Sequence, residues 1–152
     1  MNANLFKAIL AMDSYNRGYG EGIKLPVVLN TTKLGNATIA SQSDTTATGQ
    51  PVLAGFYGIS YQLAGGEKVI SYRGTDAGED AAAYPIAVGS TGTAQGRMAF
   101  EFYNAVATAQ NGYISIDPRL ANISLTGHSL GGGLAGLVGE NDNFNITKSQ
   151  VM

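Results

Sequence analysis

The chain has 152 residues, of which 44% are hydrophobic and 13% are charged, with a formal net charge of -2 and no cysteine. These values are typical of one globular domain, and they exclude a disordered chain, a basic nucleic-acid-binding protein, a disulfide-bonded scaffold and a cysteine nucleophile. No composition shift marks a boundary, so we interpret residues 1–152 as a single domain.

The N-terminal segment predicts a helix. Residues 3–14 place apolar side chains at helical spacing. The apolar run that starts at Leu5 is ended by Asp13, and it lacks the long hydrophobic region and the small-residue cleavage site of a secretory signal. No stretch approaches the length of a membrane span. The sequence leaves the location of the protein unknown, with secretion by another route still open.

The middle of the chain predicts a β-hairpin. Residues 56–63 alternate in polarity, residues 64–67 form a turn, and residues 68–72 return as a second strand. Residues 26–51 come before the hairpin and are rich in Thr, Asn, Ser and Gly. They predict irregular structure with short β-prone pieces at residues 27–29 and 38–40 and with an edge strand.

A second helix and a second α/β unit follow the hairpin. Met98, Phe102, Val106 and Ala109 fall on one stripe, which predicts a helix from about residue 93 to residue 110. Residues 123–126 predict a short apolar strand, and a segment of small residues after it predicts another helix. The order hairpin, helix, strand, helix indicates an α/β fold.

The segment ISLTGHSLGGGLAG, residues 123–136, contains the pattern G-x-S-x-G. In this pattern the serine lies on a strained turn between a strand and a helix, with its backbone at positive φ. Gly127 and Gly131 leave room for the turn, and the Leu130 N–H points toward the oxygen of a tetrahedral intermediate. The pattern predicts Ser129 as a nucleophile. The alternative is a glycine-rich tight turn without chemistry.

The pair of segments VISYRGT and ISLTGHSLGGGLAG resembles the class 3, or fungal-type, lipases of the α/β-hydrolase superfamily, in a bacterial lipase-like form. The match covers about residues 55–139. The resemblance implies an α/β fold with a partial α/β-hydrolase-type sheet and flanking helices, lacking the C-terminal strands after the nucleophile elbow. It implies that Ser129 cleaves carboxylic esters of lipids, that Thr75 and Leu130 form the oxyanion hole, and that Gly127 and Gly131 are the elbow glycines. It implies no cofactor and no metal.

The general base that such a serine needs is missing from the pattern. His128 is the only histidine, and neighbouring side chains at a strand end point to opposite sides, so we expect a packed, hydrogen-bonded core histidine there. In the superfamily an acid and then a histidine follow the serine, but here only Glu140 and Asp142 follow, with no histidine. A serine without a base is a poor nucleophile, so we expect the isolated chain to be inactive or weak.

Three hypotheses remain open. The chain is a lipase-like serine hydrolase whose base and acid lie outside it, or a non-catalytic fragment or binding module that keeps the fold, or a subunit completed in trans by a partner chain or a second copy. We expect the ending at Met152 to leave the strand before Ser129 near a bare sheet edge. That expectation favours a truncated product of a longer gene, or pairing with another chain.

Two further features need an interpretation. We expect Arg73 to be buried and to shape the turn after it through an ion pair with one of the carboxylates at residues 76, 79 and 80. The aromatic pairs at residues 56–57 and 102–103 are interpreted as core packing. The alternative is that they line a pocket for an acyl chain.

Overall fold

A computed structural model describes residues 2–16, 33–43, 56–73, 94–111, 122–140 and 150–151; at residues 15–16, 109–111 and 150–151 it describes the backbone only. Within these ranges lie the helices α1 Ala3–Asn16, α2 Ala94–Asn111 and α3 Leu130–Glu140. The strands there are β1 Lys33–Leu34, β2 Ala37–Gln42, β3 Tyr57–Leu63, β4 Lys68–Arg73, β5 Ile123–Gly127 and β6 Gln150–Val151.

The described strands form one mixed sheet in the order β1-β2-β3-β4-β5-β6. The first four strands are antiparallel neighbours, and β4, β5 and β6 run parallel. Parallel neighbours need a long crossover connection, and α2 lies in the connection from β4 to β5. The predicted hairpin and the α/β order are confirmed. The carboxyl ends of β4 and β5 meet at one edge of the sheet, where Tyr72 is paired with Gly127.

The core has two halves because side chains alternate across the sheet. The half that faces α1 is formed by apolar and aromatic side chains from α1, β2, β3 and β4: Phe6, Leu10, Ala37, Tyr57, Ile59, Tyr61 and Val69. The half that faces α2 and α3 is larger and contains Phe56, Ile70, Tyr72, Ala99, Tyr103, Val106, Ala107, Ile123, Leu125, Leu134, Ala135 and Val138. The sheet therefore lies between α1 on one face and the other two helices on the opposite face.

The first helix begins with a side-chain cap. The Asn2 Oδ1 atom accepts a hydrogen bond from the Asn4 N–H at 2.9 Å, and the Asn2 carbonyl accepts one from the Phe6 N–H at 3.0 Å. The first bond satisfies an N–H group that has no partner within the helix, and the second is the first backbone bond of the helix itself. No helix in the described part of the chain is long and apolar enough to cross a membrane.

The buried stripe of α2 is rotated relative to the prediction. Val106 is buried as expected, but Met98 and Phe102 are half-buried, whereas Ala99 and Tyr103 are fully buried. Because α2 packs against both the sheet and α3, the small side chains of Ala99 and Ala107 let the helix approach closely. The apolar spacing predicted the helix correctly, but packing against the sheet and α3 determines which of its residues are buried.

The expected bare edge beside β5 needs a correction. The strand β6 follows α3 and pairs with β5 in parallel, with Thr126 opposite Gln150 and Gly127 opposite Val151. A short strand after the elbow is therefore present. It covers the carboxyl end of β5, because Val151 pairs with Gly127, the residue before His128.

Candidate active site

Ser129 lies on the turn between β5 and α3, and its backbone has the left-handed conformation. Its φ is 56°, and the residue is exposed. This conformation costs a non-glycine residue roughly 1–2 kcal/mol, so it persists only where the surroundings impose it. Here the helix that starts directly after the serine imposes it. The Gly131 N–H donates to the His128 carbonyl at 3.0 Å, and the Gly132 N–H donates to the Ser129 carbonyl at 2.9 Å.

Both glycines that flank the serine lie against backbone, and a side chain at either position would clash. A β-carbon added to Gly127 would overlap the carbonyl group of Gly131 and lie 2.7 Å from the Gly132 nitrogen. A β-carbon added to Gly131 would overlap the Tyr72 carbonyl oxygen and lie 2.7 Å from its carbonyl carbon. The spacing of the two glycines is therefore set by close contact between the turn, the start of α3 and the end of β4.

The first turn of α3 presents N–H groups at the same edge of the sheet. The Ser129 carbonyl accepts hydrogen bonds from Gly132 and Gly133, and none of the bonds described in this turn uses the Leu130 N–H. A helix N-terminus carries a partial positive charge, and its first N–H groups lack partners within the helix. The Leu130 N–H therefore belongs to the N–H groups at this helix end that the helix itself does not use, at the residue next to Ser129.

The structure corrects the expectation for His128. The residue is exposed rather than packed in the core. The strand β5 ends at Gly127, so His128 lies one residue beyond the sheet, at the exposed carboxyl edge. The expectation assumed that β5 includes His128, so that side chains would alternate up to this residue. The strand ends one residue earlier, and the motif itself does not show where the strand ends.

The end of β4 adjoins the serine turn. Tyr72 is fully buried, its hydroxyl donates to the Ala99 carbonyl at 2.8 Å, and burial together with neighbouring Tyr103 raises the pKa of Tyr72 well above its ordinary value. Tyr72 therefore remains a neutral donor. Arg73 is buried as expected, with its guanidinium carbon 4.4 Å above the centre of the Tyr57 ring.

Several predicted residues lie outside the described part of the chain. Thr75, the predicted oxyanion residue, is one of them, and so are the acidic residues at 76, 79 and 80 that were expected to pair with Arg73. Asp142 is another. Glu140 is described, and it ends α3, ten residues after Leu130. At 1.5 Å per residue it lies about 15 Å along the helix from the turn, too far to contact Ser129.

The aromatic residues pack in the core, as interpreted. Phe56, Tyr57 and Tyr103 are buried, and Phe56 lies 6.4 Å from Phe102 between ring centres. Phe102 is half-buried and also lines a cleft of about 350 Å³ between α2 and the end of β2. Among the residues that the structure describes, no group of three or more His, Asp or Glu is close enough to hold a metal ion.

A solved structure, that of the nonglycosylated LIP2 lipase of Yarrowia lipolytica, is similar to this chain, with a TM-score of 0.55 and 19% sequence identity. The similarity covers 98% of this chain and 56% of that lipase, so the chain spans just over half of the lipase's length. No protein-family profile and no curated protein sequence matches. At this identity the likeness shows the fold alone. It confirms an α/β fold with a partial α/β-hydrolase-type sheet and flanking helices.

Sequence reasoning missed the stacked pair of Arg73 and Tyr57. The signal was present in the hairpin, because the four-residue turn at residues 64–67 brings Tyr57 opposite Arg73 on the neighbouring strand. Residues paired in this way project their side chains on the same face of the sheet. A buried arginine was predicted, and the structure adds a ring contact across the sheet; the predicted ion pair with residue 76, 79 or 80 stays a prediction, because those residues lie outside the described part of the chain.

Proposed function

We propose that the chain is part of a lipase-like serine hydrolase that cleaves carboxylic esters of lipids, with Ser129 as the nucleophile. One observation carries the proposal: an exposed serine held at a φ of 56° between a parallel strand and a helix, with glycines in tight contact on both sides. Such a turn presents a hydroxyl at the carboxyl edge of the sheet, beside the N-terminus of α3. A turn without chemistry has no need to place a serine in this conformation.

The reaction follows from the geometry. The Ser129 Oγ forms a bond with the ester carbonyl carbon, the carbonyl oxygen becomes an oxyanion, and the carbon–oxygen bond to the alcohol then breaks. The alcohol leaves with a proton, and water later hydrolyses the acyl-serine. The Leu130 N–H stabilises the oxyanion, aided by the positive end of α3. Thr75 is proposed as the second donor. It follows Arg73 by two residues in the sequence, in the segment that resembles the oxyanion turn of the lipases.

The proton of the serine hydroxyl needs an acceptor, and the acid and histidine that follow the serine in the superfamily have no counterparts in this sequence. We propose that the base and the acid come from a segment beyond this sequence or from a partner chain, because the only histidine is His128, next to the nucleophile. A serine hydroxyl without a base is a poor nucleophile, so its attack on an ester is slow. The chain alone is therefore a weak esterase.

A second function is favoured by the presence of only one histidine in the sequence. Without a base, the chain is a non-catalytic domain that keeps the lipase-like fold for binding or assembly. The two functions differ in the reactivity of Ser129, which is measured by comparing the chain with Ser129→Ala.

The test is hydrolysis of p-nitrophenyl butyrate by the purified chain, with Ser129→Ala and His128→Gln measured in parallel. We expect slow turnover that Ser129→Ala abolishes and that His128→Gln leaves within about twofold. Equal rates for the chain and Ser129→Ala would refute the hydrolase and support the non-catalytic domain. A large loss in His128→Gln would make His128 the base and would overturn the proposal that the base lies elsewhere.

A further inference from the structure

A cleft of about 350 Å³ lies between α2 and the end of β2. This volume falls within the range of small-molecule sites, about 300–1,000 Å³. Its apolar wall is formed by Phe102, Ala105 and Val106 of α2, and residues 40–43 form the facing wall. Lys68 also lines the cleft, and it is the only charged residue among the described residues of the lining. The cleft therefore combines an apolar surface with a single positive charge.

Lys68 projects its side chain from the sheet toward α2. Side chains alternate along β4, and Ile70 and Tyr72, two and four residues further on, belong to the half of the core that faces α2 and α3. Lys68 is half-buried, and within the described part of the chain its ammonium group forms no ion pair. Lys7, by contrast, is paired with Glu67 at 2.9 Å. Because partial burial makes an unpaired charge costly, the Lys68 ammonium favours a bound anion.

The polar groups of the facing wall already have partners. The Ser41 Oγ atom is bonded to the Ser60 Oγ atom at 2.5 Å, and the Ser43 Oγ atom accepts a hydrogen bond from the Gly58 N–H at 3.0 Å. These groups do not require a polar ligand. A nucleotide or a phosphate ester is recognised by several donors and cations together, which the described lining does not contain. A ligand with one negative charge and an apolar body matches the lining instead.

The register of the hairpin gives the length of the cleft. Lys68 pairs with Gln62, and the Ser43 N–H donates to the Gly58 carbonyl at 2.8 Å. The two ends of the lining therefore lie four residues apart along β3. At about 3.4 Å per residue this separation is about 14 Å, which accommodates an extended alkyl chain of medium length. The apolar residues of α2 line this path.

We propose that this cleft binds a medium-chain alkyl carboxylate, with the carboxylate at the Lys68 ammonium and the alkyl chain against Phe102 and Val106. The charge-assisted hydrogen bond from the lysine orients the ligand. Removal of the alkyl chain from water contributes the apolar part of the affinity.

The cleft is separate from the serine turn. Its Ser43 end is bonded to Gly58, and Gly58, Tyr72 and Gly127 are successive partners across β3, β4 and β5. Three strand spacings of about 4.8 Å therefore place this end of the cleft about 14 Å from β5 across the sheet. The proposal does not depend on the reactivity of Ser129.

The test is isothermal titration calorimetry of the purified chain with octanoate and, separately, with octanol, which has the same chain length and no charge. We expect one octanoate per chain, bound at least about tenfold more tightly than octanol because only octanoate pairs with the ammonium. Lys68→Met keeps an apolar side chain of similar length. It should weaken octanoate binding by about tenfold and leave octanol binding within about twofold. Lys68→Arg retains the charge and should bind octanoate within about threefold of the unmodified chain.

Two further variants separate the cleft from general effects of charge. Arg97→Met removes a positive charge from an exposed position of α2 that does not line the cleft, and it should leave the octanoate affinity within about twofold. Ala105→Phe places a ring in the cleft at an exposed position of the same helix, where a larger side chain is tolerated. It should weaken octanoate binding by at least about tenfold, with a melting temperature close to that of the unmodified chain.

Amide chemical shifts of the unmodified chain show where the ligand binds. Octanoate should move the signals of Ser41, Ser43 and Lys68 and leave that of Gly131 in place. The proposal is overturned by a lack of saturable binding, by equal affinities for octanoate and octanol, by equal losses in Arg97→Met and Lys68→Met, or by shifts centred on the serine turn. None of these results bears on ester hydrolysis, so the proposed function and the cleft are tested separately.

Discussion

Gly131 lies directly against the backbone of Tyr72, so that the α-carbon of one and the carbonyl group of the other leave no space for a methyl group between them. Gly131 belongs to the first turn of α3 and Tyr72 to the end of β4, two segments separated by almost 60 positions in the sequence. This contact fixes the start of the helix on the sheet and thereby the turn that carries Ser129.

We expect Gly131→Ala to destabilise the protein by about 1–3 kcal/mol, even though alanine favours helices over glycine. The new methyl group meets backbone atoms, which cannot rotate away. Urea denaturation measures the effect. The matched control is Gly65→Ala, where an added β-carbon meets nothing within 4 Å and stability should change by less than about 0.5 kcal/mol. Equal losses in the two variants would contradict the close contact.

Ser129 should prefer glycine to alanine as a replacement. With φ at 56°, Ser129→Gly relieves strain that Ser129→Ala retains, and the entropy of glycine in the unfolded state offsets part of the gain. We expect Ser129→Gly to be more stable than Ser129→Ala by a few tenths to about 1 kcal/mol.

At Ser71 the order of stability should be reversed, with the alanine variant more stable than the glycine variant. Ser71 lies inside β4 and does not have a positive φ. Glycine weakens a strand interior by about 0.5–1 kcal/mol relative to alanine, so Ser71→Gly should be the less stable of its pair. Thermal melting of the four variants tests both signs. If glycine is the poorer replacement at both sites, the serine turn is not strained.

The buried hydroxyl groups of two neighbouring strands should behave differently. The Ser71 Oγ atom is buried and has no hydrogen-bond partner among the described residues, whereas the Ser60 Oγ atom is bonded to the Ser41 Oγ atom at 2.5 Å. Ser71→Ala should be neutral or slightly stabilising, because it removes an unsatisfied polar group. Ser60→Ala should cost about 1 kcal/mol. Chemical denaturation of the two variants gives the comparison, and a loss in Ser71→Ala as large as in Ser60→Ala would refute it.

Glu67 should contribute a pH-dependent part of the stability. Its burial opposes ionisation, but hydrogen bonds from Ser124 and Lys7, and the charge of Lys7 at 2.9 Å, outweigh burial and lower the pKa below its ordinary value of 4.5. A lowered pKa in the folded state means that the contribution is complete above about pH 4.5. It is lost as the pH falls through the folded-state pKa.

Urea midpoints measured from pH 7 to pH 3 test the role of Glu67. The unmodified chain should lose more stability over this interval than Glu67→Gln, by less than about 1 kcal/mol because the pair is partly exposed to solvent. Ser124→Ala removes one of the hydrogen bonds and should reduce the difference. Parallel pH profiles for the unmodified chain and Glu67→Gln would show that the carboxylate has no such role.

The sequence predicted the elements whose signals are local. The alternation in β3 and β4, the apolar spacing of α1 and the glycines around Ser129 each reflect a constraint within a few residues, and the helices, the hairpin and the positive φ follow from them. The resemblance to lipases led to the correct fold. The predicted roles of Ser129, Leu130 and Thr75 stay predictions.

Features set by distant contacts could not be predicted in this way. The strand β6 is two residues long and exists because β5 is beside it. The inward face of α2 depends on α3, and the exposure of His128 depends on where β5 ends. The contact of Arg73 with the Tyr57 ring depends on the register of the hairpin. In each case the deciding neighbour belongs to another element, so the local pattern does not contain the answer.

The mixed direction of the sheet has a consequence for the order in which the protein folds. The hairpin of β3 and β4 closes through a four-residue turn and is expected to form within about 10 microseconds, whereas β5 must find β4 across a connection of about 50 residues. We therefore expect the strained serine turn, which needs this late pairing, to be absent from the transition state for folding. Relief of its strain in Ser129→Gly should slow unfolding and leave the refolding rate unchanged.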